Sequence, residues 1–524
     1  MKIASSKQMR ELENKAAARL GVSEGFFLEK AGFALAQYVS EYTDNNSDPC
    51  AAIICGRGLN GADGMAAARH LIKRGCKVWV FTVGYERDPA PLTLNARLQF
   101  EIAGGTVLSI EEDLERAMSV LTSKSCDVVV DALFGIGFSR SREPDKHIRA
   151  AISLINCFER TVISVDIPSG VDPDTGETWE VFVRADRTIT FTLPKPAHYL
   201  SASQEYCGAL DIVDIGIPPE LIEQADIRLS AFENSDFERN IPPRRQNSHK
   251  GDYGRLLILA GSRGYTGAAA LAARAALRTG AGTVSLGVPA SVYPILAMKL
   301  DEAMVFPLPE DENGMLARDA SDEILKRLLR SDALLMGCGL GRGGDIPFLV
   351  ETVIGNASVP VILDADGLNA LASNINMLKG KRCGLVLTPH RGEFIRLFGE
   401  NYKLEGENDP SAAIRLASEH GCVIVMKGHR TVTADSMSAC LNLSGNAGLA
   451  KGGSGDVLAG IIASFAVQGM ALGMAAAFGV SLHGRAGDLA AENLGQYSML
   501  PSDIIAAIPS FLKSADRRKT FRGD

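Results

Sequence analysis

The stretch SGNAGLAKGGSGDVLAGIIASF, residues 444–465, sets the reading of this chain. A glycine-rich loop over 452–455 runs straight into an apolar helix that carries Asp456 in its first turn. Backbone N–H groups there, with the positive end of the helix dipole, suit phosphoryl oxygens. A carboxylate beside a phosphate is repelled unless it has work to do. Asp456 is therefore read as the base that deprotonates a hydroxyl attacking a terminal phosphoryl group. The plain alternative makes Asp456 a dipole partner worth about 0.3–1 kcal/mol, but the loop holds more glycine than capping needs. The chain has no G-x-x-x-x-G-K-[ST] run, so this phosphate site is not a P-loop.

Outward from that loop, the second half alternates short apolar strands with helices. It reads as strand 255–260, helix 267–280, strand 283–287, strands near 332–336 and 360–363, GLVLTP, CVIVMKG and a helical block from 456. The first half does the same between 51 and 215, through AAIIC, MAAARHLIKRG, KVWVFTV, a helix near 92–103, CDVVVD and TVISVD, after helices at about 6–20 and 24–42. Such alternation predicts an α/β protein of two three-layer αβα domains, each a parallel sheet covered by helices. The polar, Pro-bounded run after Gly216 shows no clear strand. We place the first domain at 1–220, a linker at 221–240 and the second domain at 241–515.

Composition narrows the class. At 524 residues with 46% hydrophobic content and 53 Gly, the chain exceeds one core and reads as globular. A net charge of −8 argues against nucleic-acid binding, and the basic Arg517, Arg518, Lys519 and Arg522 read as a solvated tail. The 10 cysteines include no C-x-x-C pair and several lie in apolar strands, as expected of reduced core thiols. The N-terminus reads as an amphipathic helix rather than a secretory signal. The apolar runs near 456–480 carry Asp456 and many small residues, which suits buried helices rather than a membrane span. The expected location is the cytoplasm.

In the first half, CGRGLNGADG places Gly56, Gly58 and Gly61 in G-x-G-x-x-G spacing before a helix, a weak signal alone. A plain Rossmann reading would add Glu86 as a ribose ligand. Other strand ends are more telling, since Asp131 ends CDVVVD and Asp166 ends TVISVD before Ile-Pro-Ser-Gly. In a doubly wound sheet the C-terminal strand ends share one crevice, where Asn60, Asp63, Asp131, Asp166 and Ser169 would meet. Taken singly, either Asp131 or Asp166 reads equally well as a loop or helix cap. Together, these oxygen donors suit a monovalent cation and a polar ligand.

FFLEKAG, CGRGLNGADG, VDALFGIGFSR and VDIPSGVDPDTG, in that order, resemble the YjeF N-terminal family of NAD(P)H-hydrate epimerases over about 1–217. The resemblance implies a Rossmann-like domain that holds the hydrated nicotinamide nucleotide through Leu59, Asn60, Gly61, Ala62 and Asp63, and through Gly135, Ile136, Gly137, Phe138, Ser139 and Arg140. It implies K⁺ at Asn60, Asp131 and Ser169, and Asp166 as the catalytic acid/base. The family's N-N-G-G-D run reads L-N-G-A-D here, which motivates an alternative in which this domain only binds.

In the second half, VIVMKGHRT offers Lys427, Gly428, His429, Arg430 and Thr431 as a partly basic nucleotide-touching loop, although Lys427 also reads as an ordinary surface lysine. LLMGCGLGR and VLTPHRGEF point at the same pocket. A lone His390 after a strand is more often structural than catalytic. GSGD after such strands resembles the ribokinase-like fold. HKGDYGR, AGSRGYTGAAALAA, GCGLGR, DADGLNAL, TPHRGEF, MKGHRT and NAGLAKGGSGDVLAG narrow the resemblance to ADP/ATP-dependent NAD(P)H-hydrate dehydratases over about 245–510. It implies that Ala268, Gly341, His390 and Asp456 contact the hydrate. It likewise implies that Lys427, Gly428, His429, Arg430, Thr431 and Gly455 contact ADP or ATP, which acts with Mg²⁺. Ser454 stands where that family commonly has Thr.

The combined expectation is a bifunctional enzyme that epimerises R and S hydrates and dehydrates the S form at the expense of ADP or ATP. Its partners are small molecules, with no nucleic acid and no membrane, and a homo-oligomer is the common arrangement for such enzymes. The competing expectation is a small-molecule kinase with a noncatalytic N-terminal module.

Overall fold

The computed structural model describes residues 1–43, 48–85, 89–122, 126–138, 143–200, 204–233, 236, 239–241, 244–399 and 409–517. The chain divides into two compact units, Lys2–Ile227 and Arg228 onward, with Met1 grouped with the second. Both are mixed α/β units built on largely parallel sheets, as expected.

The first unit opens with a two-residue strand, β1 (Lys2–Ile3), and the helices α1 (Ser6–Leu20) and α2 (Glu24–Thr43). Ser5 starts α1 through a capping box with Gln8, and Gly21, at φ 66°, ends it. The strands β2 (Cys50–Gly56), β3 (Lys77–Val83), β4 (Val107–Ser109), β5 (Val128–Ala132), β6 (Thr161–Val165), β7 (Arg187–Phe191) and β8 (Ala209–Val213) form one sheet ordered β4-β3-β2-β5-β6-β7-β8. All its pairings are parallel. The central strands are buried on both faces, which is why AAIIC and CDVVVD read as unbroken apolar runs. Strand order reverses between β2 and β5, and a doubly wound sheet opens a crevice at such a point. Helix α3 (Leu59–Lys73) starts there, directly after the glycine turn.

The second unit contains β9 (Leu229–Ala231), β10 (Arg255–Leu259), β11 (Thr283–Pro289), β12 (Met304–Leu308), β13 (Ala333–Met336), β14 (Val361–Leu363), β15 (Leu385–Leu387), β16 (Val423–Met426), β17 (Val432–Ala434) and β18 (Ala439–Leu441). Their order is β9-β18-β17-β16-β15-β14-β13-β10-β11-β12. Only β17 pairs antiparallel, to β16 and β18. The reversal falls between β10 and β13. Helices α4 (Thr266–Thr279), α5 (Arg391–Phe398), α6 (Ser454–Val467) and α7 (Leu472–Leu494) position the residues discussed below. A Cβ on Gly460 would stand 2.3 Å from the Ala272 carbonyl oxygen, so glycine there lets α6 lie against α4.

The segment expected as a linker, 221–240, carries structure instead. Helix Pro219–Gln224 belongs to the first unit, and β9 pairs with β18 through Leu229 and Ala439. Pairing holds β9 in place, without an apolar run of its own. Among the described residues no helix is long and apolar enough to cross a membrane.

Candidate functional site

The first site lies at the C-terminal ends of β2, β5, β6 and β7. Asp166 follows β6 with φ 66°, a left-handed backbone that a residue with a Cβ adopts only when its surroundings enforce it. Its N–H donates to the Ile189 carbonyl at 2.7 Å, and its own carbonyl lies 2.9 Å from His198 Nε2. Both carboxylate oxygens accept hydrogen bonds, with one acceptor position on Oδ2 left over. Oδ1 accepts from Lys195 Nζ at 2.5 Å and from the Thr190 hydroxyl at 3.0 Å, while Oδ2 accepts from the Ile136 N–H at 3.0 Å. Burial alone would raise its pKa. The Lys195 ammonium, by charge and hydrogen bond, outweighs burial and holds Asp166 below the usual carboxylate range.

Two more carboxyls face the same lysine. Burial, offset in part by Lys195, lifts Glu13 of α1 to about 7, and burial followed by the Asp166 charge pushes Asp63 well up. The site thus pairs an ionised carboxylate with neighbouring carboxyls that hold protons more tightly, which is the equipment for proton transfer. Asn60 donates to the Val165 carbonyl at 3.2 Å, so its Oδ1 faces the crevice. A Cβ on Gly135 would lie 2.9 Å from both Asn60 Oδ1 and Asp166 Oδ2, so any larger residue must push these two side chains out of place.

The other expected residues divide. Ile136, Gly137 and Phe138 form the loop beside Asp166, where Arg10 donates to the Ile136 carbonyl at 2.9 Å and Phe138 packs edge-on against Trp179. Leu59 is exposed at the helix start. Ala62 is fully buried and its methyl packs in the core, which leaves its backbone as the part nearest the crevice. Asp131 takes four hydrogen bonds, from the Ser164 hydroxyl, the Ser169 N–H and hydroxyl, and the Leu133 N–H. Those bonds fill the acceptor positions of its carboxylate. The register that sets Asp131 opposite Ser164 explains one of them. Ser139, Arg140 and Glu86 lie outside the described residues. Lys195, His198, Thr190 and Glu13 are absent from the sequence expectations. The trace that Lys195 and His198 leave is PKPAHYL, a lysine between prolines directly after a strand.

The second site is assembled by strand register. Leu363 pairs with both Met336 and Leu387, so the residues just beyond these strand ends, Cys338, Asp364 and Thr388, converge. An isolated bridge between His390 and Lys427 adds the lysine. Asp364 Oδ1 accepts from the Thr388 hydroxyl at 2.6 Å and from Lys427 Nζ at 2.8 Å. Burial opposes the charge on Lys427, but Asp364 and Glu393 outweigh it and raise its pKa. Lys427 is therefore neither a surface lysine nor part of a loose basic loop. Asp456 stands in the first turn of α6, where burial, then the Asp364 charge, lifts it to about 6. Gly455 adjoins this group: a Cβ there would lie 3.5 Å from Lys427 Nζ.

Gly341 donates its N–H to Asp366 at 2.9 Å, and Ala268 packs on Gly339, so both border the same strand ends. His390 caps α5, its Nδ1 accepting from the Gly392 N–H at 3.0 Å, and its Nε2 lies 3.4 Å from Glu393 Oε1. Thr431 closes its own turn with Gly428, its hydroxyl 3.2 Å from that carbonyl, and Arg430 donates to the Leu443 carbonyl at 2.7 Å. His429 is exposed. Asp364, Asp366 and Glu393 lay inside quoted motifs without being singled out. Among the described residues, Ser454 Oγ and His483 Nε2 are buried without a hydrogen-bond partner.

Fold and site define an α/β enzyme with two polar centres at strand C-termini, one a cluster of carboxyls around a buried lysine and one a glycine loop backed by a carboxylate. Residues 24–197 match the family described as YjeF-related protein N-terminus, and 256–510 match NAD(P)H-hydrate dehydratase. A bifunctional NAD(P)H-hydrate repair enzyme of Moorella thermoacetica is 38% identical over 98% of this chain and 97% of its own length. The protein of the same name from Thermofilum pendens is 38% identical over 98% and 97%. The ADP/ATP-dependent NAD(P)H-hydrate dehydratase of Bacillus subtilis, solved with ATP and Mg²⁺, is 30% identical over 55% of this chain and 98% of its own, with a TM-score of 0.47. The chain belongs to the bifunctional NAD(P)H-hydrate repair enzyme family, which joins an epimerase domain to a dehydratase domain.

Proposed function

We propose that the two centres divide the repair between them, with Asp456 as the base of the dehydratase and Asp166 as the working carboxylate of the epimerase. The observation that carries this is the placement of Asp456 in the first turn of α6, behind the glycine loop and beside Asp364 and Lys427. The N–H groups of that loop would hold the phosphates of ADP, the preferred nucleotide in this reading, or of ATP. Asp456 takes the proton of the hydrate's ring hydroxyl. That oxygen bonds to the terminal phosphorus of ADP as the bond to AMP breaks, and phosphate then leaves the ring carbon with loss of a ring proton, giving the reduced nicotinamide. Lys427, fixed by Asp364, faces the transferring group as a point charge. Magnesium, when bound with the nucleotide, supplies charge neutralisation. Ala268, Gly341 and His390 Nε2 line the hydrate side, and the turn 427–431 with Gly455 lines the nucleotide side.

In the first unit, a protonated neighbour of Asp166 gives its proton to the ring hydroxyl, water leaves as the ring nitrogen's lone pair forms a C=N⁺ bond, and water re-adds to the other face while Asp166 takes its proton, which interconverts the R and S forms. Asn60 Oδ1 and the Ile136–Phe138 loop adjoin the ring. The oxygen donors Asn60, Asp131 and Ser169 have the chemistry for potassium, which would supply a fixed positive charge. Asp131 joins such a shell only when Ser169 gives up one of its bonds to it. The enzyme works on free small molecules in the cytoplasm, and a homo-oligomer suits it.

The test is recovery of nicotinamide absorbance from a mixed-epimer hydrate with magnesium and ADP or ATP. Wild type recovers all of it. Asp456→Asn loses roughly 10²–10⁴-fold of the dehydration rate, and Asp166→Ala stops at the S fraction. Undiminished R turnover in Asp166→Ala removes the epimerase assignment.

A further inference from the structure

The dehydratase centre holds a thiol that the reaction above does not use. Cys338 follows β13, is fully buried, and points its Sγ at Asp364 Oδ2, 3.8 Å away. One ligand atom each from Cys338, Asp364 and Asp456 lie within 4.8 Å of one another. Zinc bonds sulfur at about 2.3 Å and carboxylate oxygen at about 2.0–2.2 Å, so closing on a shared ion takes only a small inward movement.

Two observations make this more than an acidic cluster. Asp364 is 2% exposed, and its donors are spent on one oxygen: Thr388 and Lys427 both bind Oδ1. Among the described residues, Oδ2 has only the distant thiol, which leaves a buried oxygen aimed at the space between Cys338 and Asp456. Gly455 bounds that space without a side chain, since a Cβ there would stand 3.9 Å from Oδ2. The charge balance also favours a cation. Asp364 and Asp366 both act on Asp456 as anions, with Lys427 as the nearest opposing charge and Arg342 paired to Asp366 at 3.5 Å.

We propose that Cys338, Asp364 Oδ2 and Asp456 form a binding site for a borderline-soft divalent cation of the zinc class, and that its binding inhibits dehydration. The thiol gives selectivity, because sulfur favours zinc and cobalt over magnesium, which prefers oxygen and water. Binding displaces the thiol proton to solvent, forms metal–sulfur and metal–oxygen bonds, and involves no redox change. Lys427 stays on Oδ1. A fourth position remains for water. The inhibitory consequence rests on Asp456 as the base, since the ion occupies that carboxylate; the site itself does not.

Cobalt(II) tests it on the full-length chain under anaerobic conditions. We expect a saturable sulfur-to-cobalt charge-transfer band in the near ultraviolet, lost in Cys338→Ala although the other cysteines remain. Should Cys338→Ala fail to fold, Cys338→Ser keeps the bulk, lacks the sulfur and is expected to lose the band equally. Asp364→Asn weakens cobalt binding by roughly tenfold or more. No saturable band, or a band that survives both cysteine variants, overturns the site. Zinc should inhibit wild type at a concentration at least roughly tenfold below that needed for the cysteine variants. A cysteine-dependent band without zinc inhibition keeps the site, overturns its inhibitory role and counts against Asp456 as the base.

Discussion

Burying an ammonium costs several kcal/mol unless it is paired, and Lys195 is 2% exposed. It is tolerated because Asp166 Oδ1 and the Thr190 hydroxyl receive it at 2.5 and 2.7 Å. Lys195→Ala leaves the Asp166 carboxylate buried and uncompensated, so it should cost the first unit roughly 3–5 kcal/mol. Differential scanning calorimetry should show that unit's transition fall while the second unit's stays. The double variant Lys195→Met with Asp166→Asn should recover part of the loss, because it removes both charges. None of this was legible in PKPAHYL, where a lysine between prolines reads as a solvated turn. Asp456 was legible as a carboxylate in the first turn of a helix entered from a glycine loop, which is where the structure has it. Asp131 was legible as a strand-end carboxylate, but not the four donors that occupy it, since three of them come from Ser164 and Ser169 across the sheet.

At the scale of elements, apolar runs announced the strands because both faces of the central ones are covered, and glycine punctuation announced the turns into α3 and α6. What single runs could not announce was register, which alone brings Cys338, Asp364 and Thr388 together. It is also why β9, three residues long and held by its partner, went unseen. The loop after β5 offers a sharp test. Gly135→Ala places a methyl 2.9 Å from Asn60 Oδ1 and Asp166 Oδ2, so epimerisation should fall by at least roughly tenfold. Nucleotide-dependent turnover of the pure S form should be unchanged. Helix α1 contributes Glu13, whose pKa rises from 4.5 to about 7, chiefly through burial. The folded unit binds this proton more tightly than the unfolded chain does, so ionising Glu13 costs stability progressively as pH rises from 4.5 to about 7. His198 acts oppositely: burial lowers it from 6.5 to about 4, so its contribution to stability is lost as pH falls through that window. Glu13→Gln should therefore match wild type near pH 4 and become the more stable protein by pH 7, with the first unit's melting temperature as the readout.

For the whole molecule, the two activities are joined by their chemistry. Hydration yields both epimers, and a dehydratase selective for S strands R unless something returns it. The drain of S by irreversible nucleotide cleavage pulls an otherwise reversible epimerisation to completion. Each unit has a core and a polar centre at strand C-termini, and the residues described for each centre come from one unit. Two defective chains should then complement. Asp166→Ala alone should halt at the S fraction, and Asp456→Asn alone should re-equilibrate the epimers without releasing reduced nicotinamide. An equimolar mixture of the two should restore full recovery, at a rate rising with total protein as expected of an intermediate that travels through solution. Recovery arrested at the S fraction in the mixture would mean that the hydrate passes between centres within one chain, and a single-turnover comparison of the mixture with wild type would measure how much of the flux takes that route.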